Sequence, residues 1–377
     1  MATMEPRRGT TTTLLKLTAI AATAGLALAG CASGPGGGTD GGTEKVTLVF
    51  ASHTAENSGE MQEVQWWVDR VNELTDGALD FQASYSGSLV PAADEFAAVR
   101  DGRIDAAYTA AFYNPAEFPL SQVAGIPFVT DDAYAHTTAL DELFESNEAF
   151  NQEYLGQNVR PLFFIALGSS AIGSKSPVST VDDLKGLKIR SGGLLVNALQ
   201  VAGAEPVAMG FDEVYQALER GVIDAYSAAQ MTSAHASGLF EVAPYLSNAG
   251  IGNYVASSFT INEDYWQSLP QSIRDAMEQA SQEARTERTH ILADEATAVC
   301  DAIIADGGEV IAWSPDEVQK WKDLVGDEIV DLWIKNVGDA GIDAETARSF
   351  YDEFVEKVES LKAESDYTDP MTLCSQR

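Results

Sequence analysis

Apolar positions between residues 46 and 362 follow two spacings in turn, and that alternation predicts strands and helices in succession. Val46–Ala51 is an apolar strand that ends at Ser52, His53 and Thr54. Met61, Val64, Trp67, Val68, Val71 and Leu74 then recur at helical spacing. Thr75-Asp76-Gly77 marks a turn, and residues 79–85 alternate like a strand. Pro91 opens a helix with Ala92, Phe96 and Val99 inward, Gly102 closes it, and 103–109 reads as a strand. The pattern predicts a helix over 138–150 and, from the nearly continuous apolar run at 159–167, a strand buried on both faces. Thr180 with Asp183 three residues on marks a helix start.

The most regular stretch runs from Leu184 to Gln230. A strand through Leu187, Ile189 and Arg190 ends at a Gly-Gly turn. Leu194, Leu195, Ala198, Leu199 and Ala202 form a helix stopped by Gly203, and 207–209 is strand-like. Phe211, Val214, Tyr215 and Leu218 share one face of a second helix, Gly221 follows it, and 222–226 is the next strand. From Pro270 a long helical pattern reaches about residue 305. Residues 315–362 are mainly helical after a break at Trp313-Ser314-Pro315.

One unit occurs twice. Asp94-Glu95-Phe96 through Gly102, Ile104, Asp105, Ala106 and Tyr108 recurs as Asp212-Glu213-Val214 through Gly221, Ile223, Asp224, Ala225 and Tyr226. Two such units predict two lobes built alike, each α/β with a mainly parallel sheet. Ligands of such sheets sit beyond the carboxyl ends of the strands. Here those ends are 52–54, 110–114, 168–170, 190–192 and 227–230, mostly small or uncharged residues that suit a lined cleft.

The net charge of -34 makes nucleic acid an unsuitable partner and is read as solubility, with an acidic docking face as the alternative. Arg7, Arg8 and Lys16 precede the apolar run 14–29, too brief for a comfortable membrane span. Residues 1–30 therefore read as a signal peptide. Leu28-Ala29-Gly30-Cys31 is similar to a bacterial lipobox, in which Cys31 carries lipid; an ordinary secretory signal is the alternative. The glycine-rich residues 32–44 form a flexible tether. Outside the cytoplasm the remaining pair, Cys300 and Cys374, forms either a disulfide or two free thiols.

Arg190 is the first candidate for chemistry. Its planar, charged fork matches a carboxylate in two parallel hydrogen bonds, although a structural ion pair with one of the chain's 57 acidic residues would also explain it. No nucleotide-binding loop, nucleophile elbow or zinc-protease motif is present. His290 and Asp294, four apart on a helix, read as a solvated face before a metal site. No cofactor or metal is expected.

The segment 183–190, D-L-K-G-L-K-I-R, followed by G-A-E-P-V-A-M-G-F-D-E-V-Y-Q-A-L-E-R-G-V-I-D over 203–224, resembles the DctP-type substrate-binding proteins of TRAP transporters. The likeness extends more weakly over about 46–313. It implies a two-lobed periplasmic-binding-protein fold, with 45–167 plus 255–295 as one lobe, 168–254 plus 296–377 as the other, and the long helix bracing both. It implies an extracytoplasmic protein, lipid-anchored on the lipobox reading of Cys31, that passes a small organic acid to integral membrane permease subunits and performs no catalysis. Arg190 would fix the ligand's carboxylate, and Phe211 would supply an aromatic wall, with a core role as the alternative. Tyr226 divides between cleft and core. The chain departs from relatives in reading 224–229 as D-A-Y-S-A-A where many have D-G-Q-E-N-P. It also places Ser170 where relatives carry a second arginine and His53 where they can present an asparagine. With Phe112, Tyr113 and Gln230 at strand ends, the expected ligand is a monocarboxylate with an apolar or aromatic body. A sensory presenter and an extracytoplasmic enzyme on an acid substrate are the rival readings.

Overall fold

The computed structural model describes residues 45–377. The signal, lipobox and tether expectations, Cys31 included, fall outside the described residues. Two sheets organise the chain. The first is five-stranded, in the order Leu79–Ser84, Val46–Ala51, Ala106–Ala110, Ser257–Asn262, Val159–Phe164. The second is six-stranded, in the order Glu309–Ala312, Tyr245–Asn248, Ile172–Ser174, Ala225–Tyr226, Lys188–Ser191, Glu205–Ala208. In each sheet one strand runs against the rest: Ser257–Asn262 in the first and Ile172–Ser174 in the second. These reversed strands lie where the chain returns from the other lobe.

The repeated unit is present in both lobes. A short 3₁₀ turn leads into the helices Glu95–Arg100 and Val214–Glu219, and each is followed by a strand of its own sheet. Gly102 and Gly221 both adopt the left-handed backbone that ends such a helix. The expected capping box at Thr180 and Asp183 is also formed, although it opens only the 3₁₀ turn Val181–Leu184.

The helix Gln271–Ala305 is 35 residues long, about 52 Å. Its first half buries Ile273, Met277 and Ala280 under the first sheet, where Trp67 Nε1 donates to Met277 O at 3.3 Å and to Ser281 Oγ at 2.9 Å. Its last turns bury Ala296, Val299, Cys300 and Ile303 with Leu239 and Leu246 of the second lobe. One rigid element thus carries part of each core. Cys300 is joined to Cys374 by a disulfide, which fixes the closing helix Pro370–Cys374 to it. Among the described residues no helix is long and apolar enough to cross a membrane.

Several expectations change. The helix read over 138–150 is two helices, Ala133–Ser146 and Glu148–Leu155, because the Asn147 side chain accepts from Phe150 N at 3.1 Å and starts a new cap. The strand read over 222–226 is reduced to Ala225–Tyr226. The span 296–377, assigned to the second lobe, divides. The helix Pro315–Val325 lies on the second lobe, with Trp321 Nε1 donating to Ala198 O at 3.1 Å. The helices Glu328–Asp339 and Ala344–Lys362 pack on the first. There Phe350 meets Phe150, Phe354 meets His136, and Trp333 Nε1 donates to Pro119 O at 3.0 Å. Their aromatic stripe matches the apolar faces of Ala133–Ser146 and Glu148–Leu155.

Candidate functional site: a cleft between the two sheets

The carboxyl ends of strands from both sheets meet at one cleft, which in this closed arrangement encloses a cavity of only about 20 Å³. The first sheet contributes His53, Tyr108, Phe112 and Tyr113, together with Tyr254 on the returning segment. The second contributes Arg190, Phe211 and Ala228.

Arg190 lies at the end of Lys188–Ser191 and is fully buried. Its Nε–H donates to Met209 O at 3.2 Å. Nη1 donates to Ser227 O and Ala228 O, both at 3.0 Å, and Nη2 donates to the Tyr113 hydroxyl at 2.9 Å. All four acceptors are neutral, and among the described residues no carboxylate pairs with this guanidinium. The other fully buried arginine, Arg288, meets Asp141 Oδ2 at 2.5 Å. A guanidinium has five N–H donors, so one on Nη2 remains. The full fork expected for a carboxylate is therefore not on offer, because three donors are held by backbone carbonyls. Those carbonyls are supplied by strand ends that the sheet register fixes.

Tyr113 completes the anion-facing edge. Its hydroxyl accepts from Arg190 Nη2 and from Phe211 N at 3.1 Å, which leaves its own proton free to donate. Burial raises its pKa, so the proton is kept. The Phe211 ring lies 5.6 Å from the Arg190 guanidinium carbon, within cation–π range. Phe112 packs on the backbone across the cleft: a Cβ added at Gly192 would meet its ring at 2.7 Å, so the Gly-Gly turn is needed for the two sides to approach.

His53 Nδ1 lies 2.6 Å from Glu95 Oε2, both buried. Burial lifts the Glu95 carboxyl well above the usual carboxylate range. Burial and then the Arg190 charge push His53 down to about 3. Both shifts favour the neutral forms, a protonated Glu95 carboxyl against an uncharged imidazole. This gives the cleft wall a neutral pair close to the arginine.

Three expected contacts are placed elsewhere. Tyr226 is fully buried in the second lobe's core, its ring against Gly173, where a side chain would overlap it. Ser170 supports the cleft from behind: its Oγ accepts from Ala228 N at 3.0 Å and so holds one carbonyl that Arg190 uses. Gln230 Oε1 accepts from Gly168 N at 2.6 Å, tying together the segments that cross between the lobes. Arg190, Phe211, His53, Phe112 and Tyr113 do line the cleft. Glu60, Tyr108, Ser233 and Tyr254 also line it and were not singled out from sequence. Glu60 lies in the first turn of Gly59–Leu74, where an acidic residue reads as a helix start. His290 and Asp294 are exposed on the long helix.

Comparison with known proteins places this geometry in a family. Residues 50–336 match the DctP model, the bacterial extracellular solute-binding proteins of family 7. The chain is 27% identical over 295 residues to the 2,3-diketo-L-gulonate-binding periplasmic protein of Escherichia coli, covering 77% of this chain and 88% of that one. A TRAP solute-binding protein of Rhodoferax ferrireducens, solved with copurified benzoate, superposes with a TM-score of 0.76 at 22% identity, covering 84% of this chain and all of that one. A marine metagenome TRAP solute-binding protein, solved with 3-hydroxybenzoate, gives 0.75 at 21% identity, covering 84% and 99%. With its two lobes, its bracing helix and a family match over most of its length, this chain belongs to the family-7 (DctP) bacterial extracellular solute-binding proteins.

Proposed function

We propose that this protein is the extracytoplasmic binding subunit of a TRAP transporter, and that it captures a small monocarboxylate with an apolar or aromatic body. One observation carries the reading: a fully buried arginine between the lobes has only neutral acceptors. An uncompensated buried charge is costly, and a carboxylate entering the cleft offsets that cost. The ligand's oxygens take the remaining Nη2 donor and the Tyr113 hydroxyl. The rings of Phe112, Phe211, Tyr108 and Tyr254 supply the apolar walls. Contacts already span the cleft in this closed arrangement, so closure excludes water and strengthens the ion pair.

The two sheets are the cores of the moving lobes, with hinges in the crossings near residues 165–171 and 249–256. Lipid on Cys31 and the tether hold the protein at the outer face of the cytoplasmic membrane. There it delivers its ligand to integral permease subunits and leaves it chemically unchanged. A thermal-shift screen tests the ligand class: monocarboxylates with one ring or a short apolar body should raise the melting temperature. Stabilisation by dicarboxylates or polyhydroxylated acids alone would overturn it.

A further inference from the structure

The same cleft is lined by a buried acidic side chain that no expected contact explains. Glu60 lines the cleft and is 2% exposed. Its Oε1 accepts from Ser233 Oγ at 2.5 Å, a bond from the first lobe to the helix Met231–Ala236 of the second. Its Oε2 is buried and has no partner. Arg190 also lines the cleft, yet the two do not pair. A buried carboxylate oxygen without a donor is costly, and so is a buried guanidinium without an anion. One small molecule bearing both complements would satisfy them together.

The geometry points to Glu60 as a specificity-determining residue that accepts a hydrogen bond from a donor group on the ligand, a hydroxyl or an ammonium, while the ligand's carboxylate lies at Arg190 and Tyr113. This rests on the proposed carboxylate-binding reading and narrows it. The ligand is a hydroxy or amino monocarboxylate, not a bare apolar acid. A bare acid would leave Oε2 unpaired, and sites built around a hydrogen bond reject analogues that lack the group. A dicarboxylate would set a second acceptor group, not a donor, against Glu60 Oε2 and is disfavoured.

Calorimetry on the full chain tests this, with benzoate and butyrate as bare parents and their hydroxy and aminomethyl or amino derivatives at each ring or chain position. In the native protein, at least one donor-bearing acid should bind about tenfold or more tightly than its parent. That advantage should vanish in Glu60→Leu. Glu60→Gln keeps the volume and the Ser233 bond: a hydroxyl preference should persist within a few-fold, whereas an ammonium preference should collapse, and this separates the two donor types. Parents that bind as tightly as every derivative, or a preference that survives in Glu60→Leu, would overturn the role of Glu60 while leaving the carboxylate site intact. If no acid of either kind binds, the carboxylate reading itself fails and this inference fails with it.

Discussion

The Tyr113 hydroxyl lies 2.9 Å from Arg190 Nη2, and the two residues come from different sheets. That single hydrogen bond joins the lobes at the point where a ligand's charge is expected. Because the oxygen also accepts from Phe211 N–H, its own proton has one direction left. Arg190 and Tyr113 therefore act as a pair of converging donors.

Tyr113→Phe removes one of those donors and leaves the ring. Hydrogen bonds to charged groups contribute about 1.5–3 kcal/mol. Affinity for the best monocarboxylate should fall roughly ten- to a hundredfold by calorimetry. Unchanged affinity would place the carboxylate elsewhere.

Tyr226 tests the division between cleft and core. Its hydroxyl is buried without a partner, and its ring lies on Gly173. Tyr226→Phe deletes only the unpaired group, so stability should hold or rise by up to about 1 kcal/mol and ligand affinity should not change. A loss of affinity would return this residue to the binding surface.

The Cys300–Cys374 bond closes a loop of sequence separation 74 and fixes the tail helix. Just before that helix, Asp369 Oδ2 accepts from Ser169 N at 2.9 Å, on a segment that crosses between the lobes. Cys300→Ser with Cys374→Ser should lower stability by up to about 4 kcal/mol on the chain-entropy scale. It should also increase hydrogen exchange in residues 168–171 more than in the first sheet.

Glu63 gives a pH dependence. Burial pushes its carboxyl from 4.5 up to about 8, against the opposing charge of Arg288. The folded protein therefore holds a proton that the unfolded chain releases above 4.5. Its contribution is fully present below that value and is lost as pH rises through about 8. Urea titrations should show Glu63→Gln gaining on the native protein as pH rises across this window, by an amount on the order of a few kcal/mol. A constant difference between the two proteins would contradict it.

The repeated αβ unit was legible because its helices carry apolar residues at helical spacing and its glycines mark the stops. That pattern put Arg190 at a strand end, where the cleft lies. The reversed strand Ser257–Asn262 was not legible, for a physical reason. It is buried along its whole length, yet it reads as polar because Thr109, Ser258 and Thr260 satisfy one another's hydroxyls. Tyr226 was ambiguous because a strand-end tyrosine has the same sequence signature in a core as in a cleft; the decisive partner, Gly173, lies more than fifty positions away. Glu60 was hidden in the same way. Its helix start is local, whereas its place in the cleft beside Ser233 comes from tertiary packing. The fate of the C-terminal helices turned on aromatic contacts with residues some two hundred positions earlier.

The central claim is that a buried, unpaired guanidinium anchors the ligand. Calorimetry comparing the native protein with Arg190→Gln, using the tightest monocarboxylate from the thermal-shift screen, tests it most directly. Loss of a buried charge partner costs about 2–5 kcal/mol, so binding should weaken on the order of a hundredfold or more. An Arg190→Gln protein that binds the same acid with native affinity would contradict the claim.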